Sequence, residues 1–223
     1  MPPWSTTPSP LPAWPPPTGL TTINCPLNST ILSIHASTHI DAPAPLIWDT
    51  LRNTTTYPDW NLFCPAANIT SQLNTNIPPN ILSEGSSFTL TVAINQTAKD
   101  PATGKAVTAP SYEYVTDVST PACPSGYVPK SILEGGGGFY PDLSKVYRIA
   151  WATNLEPVPL DIFTERFSEI VELGEGQGCE YRTWENQGGP LAEQVKSTYE
   201  DLLNEDFGLW AEGLKRESEA RCK

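Results

Sequence analysis

The chain has 223 residues and a formal net charge of −12, with only 13 lysine and arginine side chains. The length suits one domain with a sizeable core, and the charge argues against nucleic acids and anionic membranes as partners, because both would be repelled. No apolar run approaches the roughly 18 residues that a membrane span needs, so no membrane insertion is expected.

The first 20 residues are rich in proline, which lacks the amide donor that helix and sheet interiors need. This composition is typical of a disordered or polyproline segment. Trp4 and Trp14 lie within it, and either would be free to dock on the body or on a partner. The predicted organisation is therefore a disordered tail, residues 1–20, followed by a single domain, residues 21–223.

The chain start also bears on location. It lacks a basic segment followed by an apolar one, so no secretory signal is predicted, and four matches to the N-glycosylation pattern are interpreted as chance. The five cysteines are widely spaced and contain no Cys-x-x-Cys pair, which is typical of free thiols in a reducing compartment. We therefore expect a cytoplasmic protein. With two histidines and no cofactor motif, neither a metal site nor a cofactor is predicted.

The segment "TILSIHASTHI" alternates between apolar and polar residues and predicts a first strand, with Ile34 and Ile40 on one face and His35 and His39 on the other. Asp41 then caps a short helix, and "TYPDWN" follows as a second short helix or turn.

Strand patterns dominate the middle of the chain. They are "SSFTLTVAIN", "SYEYVTDV", "KVYRIAWAT", "DIFTERFSEIVEL" and "GCEYRTWEN", the last two joined by the turn "GEGQG". Pro190 opens a helix with apolar residues at three- and four-residue spacings, about 45 Å long. This order predicts an antiparallel sheet with helices on one face, an α+β arrangement.

Three segments point to a known family: "IDAPAPLIWDTLRNTTTYPDWN" (residues 40–61), "YRIAW" (147–151) and "TERF…EYRTWENQGGPLA" before the last helix. With these segments the chain resembles the START-like helix-grip superfamily, which includes polyketide cyclases and coenzyme Q-binding proteins. The resemblance covers residues 30–220. It implies a strongly curved, seven-stranded antiparallel sheet wrapped around the long helix, with two short helices after the first strand. It implies the fold more strongly than the activity, because such folds host many functions.

The resemblance also implies a ligand cavity, of several hundred Å³, between the sheet and the long helix. In such folds the second short helix lies at one end of the cavity, so Tyr57, Trp60 and Asn61 would line or gate its entrance. The alternative for Trp60 is that it packs the short helix onto the sheet. Residues on the inward strand faces would form the wall: Phe88, Leu90, Tyr112, Tyr114, Tyr147, Trp151, Phe167 and Tyr181.

The last hairpin supplies candidate catalytic residues. With "GEGQG" as its loop, Phe167 would face Glu185, and Glu165 would be a diagonal neighbour of Glu185 on the same inward face. Two carboxyls in an apolar cavity repel, so one pKa should rise and make that group a general acid or base. Tyr147 would polarise a carbonyl. The alternative is that both carboxyls lie at the rim and bind water or Arg148, and a one-residue slip of register would exchange all faces.

The opposite face of this hairpin, with Arg166 and Trp184, is expected to face solvent. A separate segment, "SILEGGGGFYPDLS", contains four consecutive glycines at residues 135–138 where a short turn would suffice. It is not a phosphate loop, because no Lys-Ser/Thr follows. It is either a flap over the cavity or a surface insertion.

Two functions fit these expectations. The first is a cofactor-free cyclase or isomerase that acts on a hydrophobic, polyketide-like metabolite. The second is a non-catalytic carrier or receptor for a lipid, quinone or related small molecule. Ionisable groups deep inside favour the enzyme, and groups confined to the rim favour the carrier. We favour the enzyme, as a monomer or weak dimer.

Overall fold

The structure is a computed structural model that describes residue 11, residues 13–156 and residues 161–223. Seven antiparallel strands form one sheet in the order β1-β7-β6-β5-β4-β3-β2. The strands are β1 (Leu32–Ile40), β2 (Ala66–Ser71), β3 (Ser87–Val92), β4 (Ala109–Ser119), β5 (Val146–Thr153), β6 (Phe163–Glu172) and β7 (Cys179–Gly188). The helices are α1 (Ala44–Arg52), α2 (Tyr57–Trp60), α3 (Lys130–Leu133) and α4 (Pro190–Arg221). The predicted α+β helix-grip arrangement is confirmed.

The long helix α4 begins with a sharp change of direction after β7. Gly189 has a φ of 92°, and a side chain there would come within 2.7 Å of the carbonyl oxygen of Asp161. Only glycine fits this position without strain. Pro190 then takes a first-turn position, where its missing amide hydrogen costs nothing. The turn carries α4 back across the concave face of the sheet.

An aromatic cluster fills the space between α4 and the concave face. The ring of Trp210 packs against those of Tyr57, Trp60 and Trp151, with centroids 5.6, 5.3 and 6.1 Å away. These four side chains are at most 2% exposed. They occupy the region in which the sequence predicted a cavity. A pocket of about 520 Å³ opens instead at the surface, between the start of α1 and the β6–β7 hairpin.

The convex face of the sheet carries a second core. Residues 13–30, which we call the strap, cross this face together with residues 120–145. Beneath them Phe167 and Trp184 are stacked, both 0% exposed, and Phe139 contacts both rings at 4.9 and 5.0 Å. The prediction that Trp184 faces solvent is therefore wrong, because the face is the outer one but other segments of the chain cover it.

The strap includes residues that the sequence assigned to the tail. Trp14 donates a hydrogen bond from Nε1 to the carbonyl oxygen of Gly138 at 2.9 Å and packs edge-on against Trp184. Leu20 is 3% exposed. Within the predicted tail, residues 13–20 thus pack on the body, whereas residues 1–10 and 12, with Trp4, lie outside the described residues.

The glycine segment 135–138 lies against the strap. The amide of Thr21 donates to the carbonyl oxygen of Gly137 at 3.0 Å, and a side chain on Gly137 or Gly138 would overlap Thr21 or Leu20. The segment therefore lies on the convex side, which excludes the alternative of a flap over the concave face. Its glycines allow the close approach of the strap.

The β6–β7 hairpin pairs one residue away from the predicted register. Phe167 faces Trp184, not Glu185. Leu173 belongs to the loop, where its amide donates to the carbonyl oxygen of Gly178 at 3.2 Å, so the loop is longer than "GEGQG". Because side chains alternate along a strand, this slip places Phe167 and Glu165 on the convex face and Glu185 on the concave face.

A β-bulge between Val115 and Asp117 interrupts the alternation of β4. Val115 packs in the concave core, and Glu113, two residues earlier, lies on the same face. Tyr112 and Tyr114 are turned to the convex face, where Tyr114 is 37% exposed. The predicted placement of both tyrosines on the inner wall is wrong, because it assumed unbroken alternation.

Candidate functional site on the concave face

The concave face changes character along the strands. Near α1 it is aromatic, and near the start of α4 it is polar. We call the polar side chains there the polar cluster: Ser111 and Glu113 of β4, Thr153 of β5, Thr164 and Arg166 of β6, and Glu185 and Gln187 of β7. Four strands therefore converge on a single group of polar and ionisable residues.

Arg166 is the positive charge of this cluster and is 2% exposed. Its Nε donates to Thr183 Oγ1 at 3.0 Å. Its guanidinium carbon lies 4.0 Å from the ring centroid of Trp210 and 4.1 Å from that of Phe207, which is the geometry of cation–π contact. Nη2 is buried and has no hydrogen-bond partner among the described residues. A buried charged donor is thus left available.

A series of hydrogen bonds, from Trp210 through Tyr181, Ser168 and Thr183, ends at Arg166. The indole nitrogen of Trp210 donates to the hydroxyl of Tyr181 at 2.9 Å, and that hydroxyl lies 3.0 Å from Ser168 Oγ. Ser168 in turn donates to Thr183 Oγ1 at 3.2 Å, the atom that accepts from Arg166. An indole nitrogen can only donate, so the proton of Tyr181 is directed to Ser168. The chain fixes the position of the guanidinium.

Two carboxyls of the sheet adjoin Arg166. Glu113 is 7% exposed and accepts a hydrogen bond from Ser111 Oγ at 2.6 Å, and burial raises its pKa to about 8. Glu185 is half-buried and is the cross-strand partner of Arg166. Burial raises the pKa of Glu185, while the charge of Arg166 opposes that rise. None of the ion pairs among the described residues includes Arg166.

The third carboxyl links α4 to the loop after β3. Asp206 is 1% exposed, and burial raises its pKa to about 7. Its Oδ1 accepts from Gln96 Nε2 at 3.1 Å, whereas its Oδ2 has no partner among the described residues. This hydrogen bond ties α4 to the loop after β3.

The residues predicted to gate an entrance lie beneath α4. The hydroxyl of Tyr57 donates to the carbonyl oxygen of Leu51 at 2.9 Å, and Asn61 Oδ1 accepts from the amide of Cys64 at 2.8 Å. Tyr57, Trp60 and Asn61 are at most 2% exposed. Trp60 has a packing role, as the alternative proposed, but it packs the short helix against Trp210 of α4 rather than onto the sheet.

Among the predicted wall residues, Phe88, Leu90, Trp151 and Tyr181 lie in the concave core. Tyr147 is partly buried against that core, with its ring 5.7 Å from that of Trp48 on α1. Tyr147 and Trp151 are separated by four residues of β5, which corresponds to about 13 Å. Tyr147 therefore lies at the aromatic end of the face and is not brought together with Glu185.

Glu165 lies on the convex face and anchors the strap. Its Oε2 accepts the backbone amides of Ile23 and Asn24 at 2.7 and 2.8 Å, and its Oε1 accepts the hydroxyl of Tyr127 at 2.6 Å. The predicted pairing of Glu165 with Glu185 is therefore wrong. The alternating side chains of β6 place the two carboxyls on opposite faces of the sheet.

Sequence reasoning missed Arg166, Glu113 and Asp206. The register error moved Arg166 outward, and the bulge in β4 concealed Glu113. For Asp206 a signal was present. It precedes Trp210 by four residues, as Trp210 precedes Leu214, so an acid lies on the apolar stripe of α4. A charge on such a stripe indicates a buried polar site.

Within the described residues, no group of three or more histidine, cysteine, aspartate or glutamate side chains is placed to hold a metal ion. None of the helices in that part of the chain is long and apolar enough to cross a bilayer.

Comparison with known proteins supports the architecture. No family model matches the chain. It is 29% identical over 190 residues to the oxopyrrolidines biosynthesis cluster protein O of Penicillium oxalicum, which covers 79% of this chain and 81% of that protein. A START superfamily protein from Mycobacterium smegmatis superposes with a TM-score of 0.50 at 14% identity, over 85% of this chain and 98% of that one. The Zhui aromatase/cyclase from Streptomyces sp. R1128 superposes with a TM-score of 0.51 at 11% identity, over 86% and 95%. The chain has the START-like helix-grip fold.

Proposed function

We propose that the chain binds a hydrophobic, carbonyl-bearing small molecule on the concave face and promotes its cofactor-free cyclisation or isomerisation. The observation that carries this proposal is the buried guanidinium of Arg166, whose Nη2 has no partner among the described residues and which adjoins carboxyls with raised pKa values. One protein with the same fold is an aromatase/cyclase. The Penicillium relative is named for oxopyrrolidine biosynthesis, and an oxopyrrolidine is a ring that carries a carbonyl.

The polar cluster contains the groups that such chemistry needs. A preorganised donor in a water-poor site stabilises the negative charge that develops on a carbonyl oxygen during enolisation, and Arg166 Nη2 is such a donor. Glu185 is the base that takes the proton from the carbon beside the carbonyl. Glu113, with a pKa of about 8, is mostly neutral near neutral pH and is the acid.

With these roles, the bonds and protons are accounted for in both reactions. In a cyclisation the enolate carbon attacks a second carbonyl, a carbon–carbon bond forms, and the acid protonates the resulting alkoxide. In an isomerisation the proton that the base removed is replaced at another carbon. Neither route requires an oxidant or reductant.

The aromatic half of the concave face provides the apolar contacts. Phe88 and Trp151 pack with their ring centroids 5.9 Å apart, and Phe207 of α4 packs its ring against the guanidinium of Arg166. Such walls bind a hydrophobic chain and exclude water from the reacting atoms. Because Arg166 is only 2% exposed, the substrate must displace part of this packing or the loop held by Gln96.

The test is turnover by Glu185→Gln. The substrate is first identified by native mass spectrometry of the molecule that co-purifies with the chain. Glutamine keeps the shape of the side chain and removes proton transfer, and loss of a general base typically costs about 10² to 10⁴ in rate. We expect nearly normal binding and at least about a hundredfold slower turnover.

The matched control is Glu172→Gln. Glu172 lies on the same strand as Arg166 but six residues away, about 20 Å along β6. The Glu172→Gln variant should keep both substrate binding and turnover. Full turnover by Glu185→Gln would remove Glu185 from the mechanism.

A non-catalytic carrier is the second candidate, supported by the apolar side chains that make up most of the concave face and would suit a hydrophobic ligand. Tight binding of a co-purified molecule that is never converted would establish this function instead.

A further inference from the structure

The two edge strands of the sheet, β1 and β2, differ in the side chains that lie along them. At β1 the long helix α4 contributes charged side chains. Lys196 Nζ donates to the carbonyl oxygen of Ile31 at 3.1 Å. Glu219 Oε1 accepts from the amide of Asp41 at 2.9 Å. Charged side chains at a sheet edge oppose pairing with another chain, so the β1 edge is protected.

The β2 edge has no such protection. In an edge strand, every second residue turns its amide and carbonyl groups away from the neighbouring strand. Among the described residues, the backbone–backbone hydrogen bonds of Ala66–Ser71 go to β3 only. The side chains of Ala66, Asn68 and Thr70 are exposed. β2 therefore offers unpaired backbone donors and acceptors to a further strand.

The region around β2 also carries no charge. Between Asp59 and Glu84 the sequence contains no aspartate, glutamate, lysine or arginine, although these residues make up 17% of the chain. Two leucines in this stretch are exposed, Leu62 by 56% and Leu73 by 82%. An open edge with uncharged, partly apolar surroundings is what proteins avoid unless the edge is paired.

The absence of charge indicates which partner fits this edge. A second copy carries the same net charge of −12, so two copies repel each other except where both surfaces are neutral. Antiparallel pairing about a two-fold axis places each residue opposite the same or a nearby residue of the other copy. Like charges directly opposite each other are destabilising. A strand that pairs with its own copy must therefore be uncharged, as β2 is.

We propose that two copies of the chain pair through β2, antiparallel and about a two-fold axis near Asn68, so that the two sheets join into one. A β-bulge between Ile69 and Ser71 ends the regular part of the edge, so the pairing uses Ala66–Ile69. An interface this short is weak, and the dimer forms at high protein concentration. This interaction surface is independent of the proposed function.

Sedimentation velocity of the full chain at increasing concentration measures the association. We expect the average mass to rise from that of one chain toward that of two. Asn68→Lys places like charges opposite each other and should weaken the association at least about tenfold. Asn204→Lys is the matched control, because Asn204 is exposed on α4 and its substitution changes the net charge by the same amount. The control should not weaken the association.

A mixing experiment identifies the paired residues. Asn68→Glu alone should also weaken the association. An equimolar mixture of the two Asn68 variants brings opposite charges together and should associate at least about tenfold more tightly than either variant alone. If the variants do not fold, amide hydrogen exchange of the unsubstituted chain is the second measurement. Amides of β2 should become more protected at high protein concentration, whereas those of β1 should not change.

A chain that stays a single copy at every concentration would overturn the proposal and leave the β2 edge to a strand of a different protein. Association that Asn68→Lys leaves intact, or a mixture no tighter than its components, would show that another surface is used. Added salt gives a further check, because it screens the repulsion between the copies and should strengthen pairing through a neutral edge. Weaker association in salt would show an ionic interface instead.

Discussion

Strand β6 carries a glutamate on its convex side and an arginine on its concave side, and each faces an opposite charge on a neighbouring strand. On the convex side Glu169 Oε1 accepts from Arg148 Nε at 2.8 Å and from Nη2 at 2.7 Å, and both side chains are 0% exposed. On the concave side Arg166 faces Glu185 without forming an ion pair. The same two residue types therefore form an ion pair on the convex face, which we call the closed pair, and none on the concave face, which we call the open side.

The difference distinguishes a pair that stabilises the fold from a group that the proposed function uses. Glu169 also accepts the amide of Tyr140 at 3.0 Å, so residues of the chain itself complete its hydrogen bonding. Arg148 and Arg166 each keep one buried nitrogen without a partner in the described structure, but of the two only Arg148 has a carboxylate bonded to its guanidinium. A buried group that the chain satisfies internally stabilises the fold. A buried group left incomplete at the end of the concave face is where the proposed ligand would complete the hydrogen bonding.

The largest expected effect comes from breaking the closed pair. Glu169→Gln should lower the free energy of unfolding by about 3 to 5 kcal/mol, because it leaves Arg148 buried without its counter-charge. The matched substitution on the concave side, Glu185→Gln, should change it by less than about 1 kcal/mol, since no ion pair is lost. Urea denaturation near neutral pH measures both. Equal losses would show that the two faces are alike and would contradict the comparison.

The open side should also make stability depend on pH. Glu113 binds its proton more tightly in the folded chain, since its pKa is raised to about 8. The unfolded chain therefore loses this proton first, and the free energy of unfolding falls as the pH rises from the ordinary glutamate value through about 8. Between about pH 5 and 8 we expect a loss of about 3 kcal/mol. Asp206, with its pKa raised to about 7, contributes with the same sign.

Urea titrations across this range check the slope, with Glu113→Gln as the comparison. The variant should lose roughly half of the dependence, because glutamine does not titrate whereas Asp206 still does. A wild-type profile that is flat, or that rises with pH, would show that Glu113 is ionised in the folded protein.

The smallest of the three effects concerns the strap. Trp14→Ala should cost about 2 kcal/mol, less than a fully buried tryptophan, because Trp14 is only partly buried. The loss includes its contacts with His35 and Trp184 and its hydrogen bond to Gly138. Trp4→Ala is the control, since its proline-rich surroundings predict no packing. Thermal or urea denaturation measures both, and equal stability of the two variants would mean that the strap contributes nothing to the convex core.

The fold could be predicted from the sequence because its signals are local. Alternation marked the strands, and Gly189 with Pro190 marked the start of α4. The side-chain faces depended on features without a local signal. A one-residue difference in loop length moved Glu165 away from Glu185, and the extra residue in β4 exchanged Tyr114 for Glu113.

The second core was harder to predict. The outer face of β7 reads as amphipathic, and only the arrival of residues 13–30 and 120–145 buries Trp184. Contacts between segments more than a hundred residues apart leave no trace in a local pattern. The pKa of Glu185 is raised, but burial raises it rather than repulsion by Glu165, and its cross-strand neighbour is an arginine from β6.

The second core has a consequence for how this chain changes over generations. Most substitutions destabilise a protein, and selection removes those that fall below the stability needed for function. Because the strap and Phe139 stabilise the sheet from behind, a destabilising substitution on the concave face leaves the chain further above that threshold. Substitutions on the concave face are therefore tolerated more readily. Descendants of this chain can change that face while the convex core preserves the fold.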